Sequence, residues 1–213
     1  MQKPALSLHS ILEALGLDSA CIPLLKETAS YHRMIQSTTP EEVFQAIRSI
    51  GETLNLQPEA DQLAEDLEER INIIIHKLKF IPEEHKPNVL CLHDVSPVAM
   101  AQNEYLSRLI SIAGGIDYLN WDKDAFNPDI LLLIADKPVS ELLSELPNTL
   151  ATGYWEKTHA VKNNNIYVVH DARYLRQPGA LIADDIEILA EIINPQYFIF
   201  GRNEDVWMPF SLH

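Results

Sequence analysis

The chain has 213 residues, enough for one large domain or two small lobes, and its 46% hydrophobic and 22% charged content is that of an ordinary globular protein. Against 31 acidic residues stand 16 Lys and Arg, a formal charge of −15. That balance excludes the clustered cations of a nucleic-acid surface and disfavours docking on an anionic membrane. The start, MQKPALSLHSILEALGLD, carries neither a long apolar run nor a lipobox cysteine. The expected location is cytoplasmic if Met1 is the native start, and extracytoplasmic if a leader has been removed.

Ser7 is placed to cap a short helix ending near Gly16. Cys21–Leu25 reads as a short apolar strand, and residues 26–37 as irregular. Thr39-Pro40-Glu41-Glu42 then combines a cap, a first-turn proline and a capping-box glutamate. The helix it opens carries Val43, Phe44, Ile47, Ile50 and Leu54 at helical spacing. Pro58 starts a second helix with Leu63, Leu67, Ile71, Ile74, Ile75 and Leu78 on one face, about 30 Å long at the standard rise per residue.

A strand–helix rhythm follows. Val89–Leu92 is a predicted strand, Gln102–Ala113 a helix closed by Gly114-Gly115, Ile130–Ile134 a strand, the region near Ser140–Glu145 a helix, and Ile166–Val169 a strand. Pro178 opens a last helix that stops at Asn194-Pro195. Alternation of this kind predicts an α/β fold with a mostly parallel sheet, and the runs VLCL, ILLLI and IYVV suit strands buried on both faces. Cys91, inside one such run, reads as a small hydrophobe; spacing leaves a pairing with Cys21 open.

Two strand-to-helix loops fall at the carboxyl edge of that sheet, where open α/β proteins build ligand sites. His93 and Asp94 follow the first strand. They are candidates to hydrogen-bond a ligand or ligate a metal, with a loop-capping role for Asp94 as the alternative. No His pair has metal-binding spacing, so no metal site is predicted. Tyr174 and Arg176 sit in the loop before the last helix. Tyr174 is a candidate wall, and Arg176 either meets an anionic ligand group or makes an internal salt bridge. Trp121, Tyr154 and Trp155 are aromatic groups near loops, Trp155 either lining a cleft or packing. Glu65-Asp66, Glu68-Glu69, and Asp184, Asp185 and Glu187 read as solvated helix faces. No nucleophile elbow, phosphate loop, dinucleotide fingerprint or zinc motif is present, so neither a catalytic residue nor a cofactor is expected.

Taken in order, TPEEVFQAIRSIGETL with its long following helix, KPNVLCL, the helix ending AGG, NPDILLLI, WEKTHAVKNNNIYVV and ARYLRQPGALIADDIEILAEIINPQYF resemble the cobalamin- and iron-siderophore-binding substrate-binding proteins of one class of ABC importers. The resemblance covers roughly residues 39–200. It implies a periplasmic-binding-protein-like parallel-sheet lobe with a long connecting helix and a reduced, helical amino-terminal part. The implied divisions are 1–38 (reduced segment), 39–80 (capped and backbone helices) and 81–213 (α/β lobe). It also implies capture of a corrinoid or ferric siderophore without catalysis, handover to an ABC permease, and little movement on binding, with His93, Asp94, Trp155, Tyr174 and Arg176 as ligand-binding residues. The chain departs from the pattern in three places. Only 38 residues precede Thr39, too few for a full first lobe. The first loop reads His93-Asp94-Val95. In the last loop Leu175 stands where relatives place a transporter-docking glutamate and Ala180 where many have arginine. The alternative is an interaction module, as a homodimer, whose cleft is lost; an enzyme of the same α/β class ranks last.

Overall fold

The computed structural model describes residues 4–101, 103–118 and 126–212. Its centre is a sheet in the order β2-β1-β4-β5-β6, with β3 also paired to β1. The strands are β1 (Asn88–Val95), β2 (Val98–Met100), β3 (Ile116–Asp117), β4 (Ile130–Ile134), β5 (Ile166–Val169) and β6 (Trp207–Phe210). β3, β1, β4 and β5 run parallel, in register Val89↔Ile130 and Leu133↔Val168. β2 and β6 close the two edges antiparallel. All five residues of β4 are buried, which explains its unbroken apolar run.

Alternate side chains feed two cores. Val89, Cys91, Ile130, Leu132 and Ile134 point to the helices α4 (Pro40–Leu54), α5 (Gln57–Leu78), α6 (Glu104–Ile112) and α9 (Ile182–Ile193). Leu90, Leu92, Leu131, Leu133, Ile166 and Val168 point to α7 (Val139–Leu150) and α8 (His159–Lys162). Both cysteines are free, and Cys91 is buried. The amino-terminal helices α1 (Pro4–Ala14), α2 (Ile22–Leu25) and α3 (Ala29–Gln36) join the first core through Leu8, Ile11, Leu12, Leu25 and Met34. Among the described residues no helix is long and apolar enough to cross a membrane.

The capping box forms as the sequence predicts: Thr39 Oγ1 accepts from Glu42 N at 3.3 Å, and Glu42 accepts from Thr39 N at 3.2 Å. Elsewhere the first third of the chain differs from expectation. Cys21–Leu25 is helical, because Pro23 suits a first helical turn. Residues 29–36 form α3, capped by Thr28 and burying Ser30 and Met34 one turn apart, a stripe too narrow to stand out. Ser7 lies inside α1 rather than at its cap, and is buried. On α5 the buried stripe runs through Ala60, Ala64, Leu67, Ile71, Ile74 and Leu78, while Ile75 is exposed. α9 begins at Ile182 rather than Pro178.

The largest departure is the acidic part of α9. Asp185, Glu187 and Glu191 are buried, not solvated. Arg70 of α5 donates to Glu187 at 2.8 and 2.9 Å and to Asp184 at 3.2 Å, and Arg202 also pairs with Asp184. Glu191 accepts from the backbone N–H groups of Phe200 and Gly201 at 2.8 Å and Arg202 at 3.2 Å, and from Trp207 Nε1 at 3.2 Å. This one carboxylate ties the final segment and β6 to the helix layer.

α4 and α5 approach closely at Gly51, where an added Cβ would lie 2.3 Å from Ala60 Cβ and 3.0 Å from Leu56 O. Gly51→Ala is expected to cost about 1–3 kcal/mol, the usual range for overpacking, measured by urea unfolding. Ala60→Gly in the same chain should recover part of that loss, since the two sites are coupled.

Candidate functional site

The parallel strands bring three loops together at their carboxyl ends. From β1, His93 Nδ1 donates to Ile134 O at 3.2 Å and stands 3.5 Å from Asp136 Oδ2. From the loop after β5, Arg176 pairs with that same Asp136 and donates to Ala135 O, leaving its side chain 9% exposed. Asp136 thus gathers His93 and Arg176, and the internal salt bridge is the role of Arg176's terminal nitrogens. Asp94 accepts from Val95 N at 2.6 Å and Ser96 N at 3.1 Å, the loop-capping role. It also meets Lys137 Nζ at 2.6 Å, and that ammonium holds the Asp94 carboxyl below the ordinary range. Lys137 in turn pairs with Glu145 of α7.

Tyr174 is placed differently from expectation. It is 6% exposed and packs into the helix-side core, with the Arg173 guanidinium 5.4 Å from its ring centre. Leu175 beside it is buried at φ +60°, so its side chain does not reach the surface on which a docking glutamate would stand. Trp155 is not brought to this edge. It lies in the turn leading to α8, ahead of β5, and packs edge-on against Phe126 with ring centres 5.8 Å apart. Its distance from the other candidates follows from the alternation of edges: a turn that enters a parallel strand lies opposite the loop that leaves it. Trp121 lies outside the described residues.

Beside the Arg176 loop is a pocket of ≈ 310 Å³. Its walls are Ser7 of α1, residues 35–38 between α3 and α4, Asn103–Tyr105 at the start of α6, and Arg176-Gln177-Pro178. A second cleft of ≈ 340 Å³, between α1, α5 and the start of α9, shares Ser7 and Gln177 with it. α1 is seated here by a close approach: a Cβ on Gly179 would lie 2.6 Å from Ser10 Oγ and 3.1 Å from Ser7 O, and Ser10 Oγ accepts from Ala180 N at 3.1 Å. Among the described residues, Ser7 Oγ, Arg176 Nε and Gln177 Nε2 are buried without a hydrogen-bond partner; their residues line the first pocket, but these atoms are closed to contact from it. Sequence reasoning missed Ser7, Gln177 and Asp136 as site residues; the position of Gln177 between Arg176 and the helix-leading Pro178 is the one signal that pointed here. No group of three or more His, Cys, Asp or Glu among the described residues is placed to hold a bare metal ion.

No family model matches the chain, and no curated protein matches it in sequence. Solved structures do. An ABC transporter substrate-binding protein from Listeria monocytogenes is 21% identical with a TM-score of 0.64, over 74% of this chain and 66% of that one. The S. aureus IsdE protein complexed with heme is 16% identical with a TM-score of 0.69, over 90% and 97%. A periplasmic heme-binding protein from Pseudomonas aeruginosa is 13% identical with a TM-score of 0.67, over 96% and 95%. The chain therefore has the α/β fold of the substrate-binding proteins of ABC importers, and these neighbours are binding proteins for heme or described by transport. It spans just under two thirds of the length of the Listeria protein.

The loop at the site is held by Asp185. Its carboxyl group accepts from Leu175 N at 2.8 Å and shares a hydrogen bond with Tyr105 Oη at 2.9 Å. Burial pushes its pKa up to about 8, against an ordinary value near 3.9 in the unfolded chain. The folded chain thus keeps a proton that the unfolded chain releases. This contribution to stability is complete below about pH 4 and lost as the pH rises through about 8. Asp185→Asn keeps an acceptor for Leu175 N and should flatten the fall in stability between about pH 5 and pH 8, read from urea midpoints across that range.

Proposed function

We propose that the chain is the ligand-capturing component of an ABC importer and binds a chelated iron or tetrapyrrole ligand (heme, a corrinoid or a ferric siderophore) without catalysis. The observation that carries this reading is the pocket at the carboxyl edge, bounded by the amino-terminal helices on one side and the Arg176 loop on the other. Ligands of open α/β proteins collect at that edge. The heme-bound and heme-binding neighbours supply the ligand class. In this reading Arg176 stands at the pocket wall, held by Asp136, which also meets His93, while Asp94 caps its own loop and pairs with Lys137. The divisions 1–38, 39–80 and 81–213 serve as one wall, spine and binding lobe. At ≈ 310 Å³ the pocket lies near the small end of ligand cavities, so a macrocycle inserts one edge and leaves the rest over the mouth. Handover to a permease outside the membrane completes the proposal, without a glutamate at position 175.

A second reading, a protein-interaction module, is favoured by a separate observation. Phe80 is 85% and Ile199 89% exposed, with Ile73 and Phe200 also exposed; Phe200 stacks on Phe198, whose ring lies under Lys77 near the end of α5. They lie where α5 and α9 end, toward the amino edge of the sheet and away from the pocket. Concentration-dependent dimerisation in sedimentation, abolished by Ile199→Asp, is what that reading expects.

For the first reading, thermal melting against heme, cobalamin, cobinamide and ferric siderophores is the test. A ligand at one hundred times its dissociation constant adds about 2.7 kcal/mol, roughly 5–10 °C in a chain of this size. A shift of that size with one ligand class supports it; melting unchanged by every one of them overturns it.

A further inference from the structure

At the amino edge of the sheet, away from the pocket beside Arg176, a cleft of ≈ 320 Å³ lies where α5 and α6 end. Short contacts fix its walls relative to one another. A Cβ on Gly114, just past α6, would lie 3.2 Å from Leu78 Cδ1 at the end of α5, so the two helix ends touch. Pro87 O accepts from Ile116 N at 2.9 Å, which lays the segment holding Lys86 beside the exit from α6. Ile75, Leu78 and Lys79 follow the i, i+3, i+4 spacing of one face of α5, and Arg108, Ser111 and Ile112 that of one face of α6. Both faces line the cleft, as does Lys86.

The cleft is basic in an acidic chain. Lys79, Lys86 and Arg108 line it and no Asp or Glu does, although the chain has 31 acidic residues against 16 Lys and Arg. Among the described residues, Arg33, Arg48, Arg70, Arg173, Arg176 and Arg202 each hold a carboxylate or a hydroxyl, and Arg108 alone makes no hydrogen bond or ion pair through its side chain. Glu104 stands exposed one turn earlier on α6 and is not paired with it. Lys79 is likewise without an acidic partner among the described residues, and both Lys79 and Arg108 are exposed, so their cations are open to an occupant rather than sealed in the fold. Lys86 pairs with Glu83 at 2.6 Å. With that one cation offset, two remain uncompensated.

Two open cations suit a dianion better than a single carboxylate. A phosphate monoester carries about −1.5 to −2 at neutral pH and three acceptor oxygens. Ser111, exposed on the same helix face as Arg108, adds a hydroxyl donor. Leu78, Ile81 and Ile112 give the cleft an apolar wall, which a bare phosphate would leave wet and a small aryl or alkyl group would cover.

We infer that the cleft between the ends of α5 and α6 binds a phosphate monoester on an apolar body, the phosphate meeting Arg108 and Lys79 and the body covering Leu78, Ile81 and Ile112. The site shares no residue with the carboxyl-edge pocket and does not rest on the importer reading.

Titration calorimetry on the purified chain at low ionic strength tests this with phenyl phosphate, inorganic phosphate and phenol. Phenyl phosphate is expected to bind at least about tenfold more tightly than either, since phenol lacks the charge-assisted bonds and inorganic phosphate lacks the apolar body. Arg108→Gln and Lys79→Gln should each weaken phenyl phosphate by about tenfold. Both should melt with the parent chain, because neither side chain has a partner in the fold to lose. Ser111→Asp, which puts a negative charge on the cleft wall, should abolish binding and also leave melting unchanged. Phenyl phosphate that fails to bind, that binds no better than phenol or inorganic phosphate, or that binds Arg108→Gln and Lys79→Gln as tightly as the parent chain overturns the inference. Flotation with vesicles of phosphatidic acid in phosphatidylcholine separates two sources of the same chemistry. Vesicle binding that Arg108→Gln removes makes the occupant a lipid phosphate; phenyl phosphate binding without flotation makes it a soluble phosphate monoester.

Discussion

The contact between Arg70 and the acidic side of α9 holds the helical layer in place. Three carboxylates on one helix, Asp184, Asp185 and Glu187, would repel one another and lose hydration if α9 were simply pressed onto the sheet. Arg70 from α5 and Arg202 from the final segment neutralise two of them, and Asp185 keeps a proton instead. The bidentate guanidinium fits Glu187 with two nearly equal bonds, a geometry lysine cannot provide. Once α9 is fixed against α5, its first turn fixes the loop before it through Asp185 and Leu175 N, and its last turns fix the segment after it through Glu191. Site and carboxy-terminal strand are both consequences of where that helix sits.

How much of this could be read in the sequence follows from the range of the interactions. β4 and β5 are legible to the residue because strands buried on both faces carry continuous apolar runs. The start of α4 is legible because a capping box is complete within four residues. The acidic turn of α9 is not, because its partner Arg70 is more than a hundred residues away along the chain, and charge patterns alone favour a solvated face. β6 escapes notice because a four-residue edge strand containing Pro209 has no periodicity of its own.

The candidate site divides along the same line. Topology places His93, Asp94 and Arg176 at one edge, and the order of strands and helices is enough to say so. Orientation is another matter. Tyr174 and Leu175 are both buried, Leu175 in a left-handed backbone conformation that no local pattern announces, and Trp155 belongs to a turn that enters β5 rather than leaves it. Ser7 and Gln177 become visible only when α1 is laid across the loop, since nothing local distinguishes a serine inside a helix from any other.

The seating of α1 on Gly179 carries a consequence for how such a pocket works. One wall belongs to α1, which meets the loop at Gly179 and through the Ser10–Ala180 bond and is anchored in the helix-side core by Leu8, Ile11 and Leu12. The width of the cavity is therefore set from behind, by three side chains that do not line it: thinning that core moves the wall without any change on the cavity's own surface.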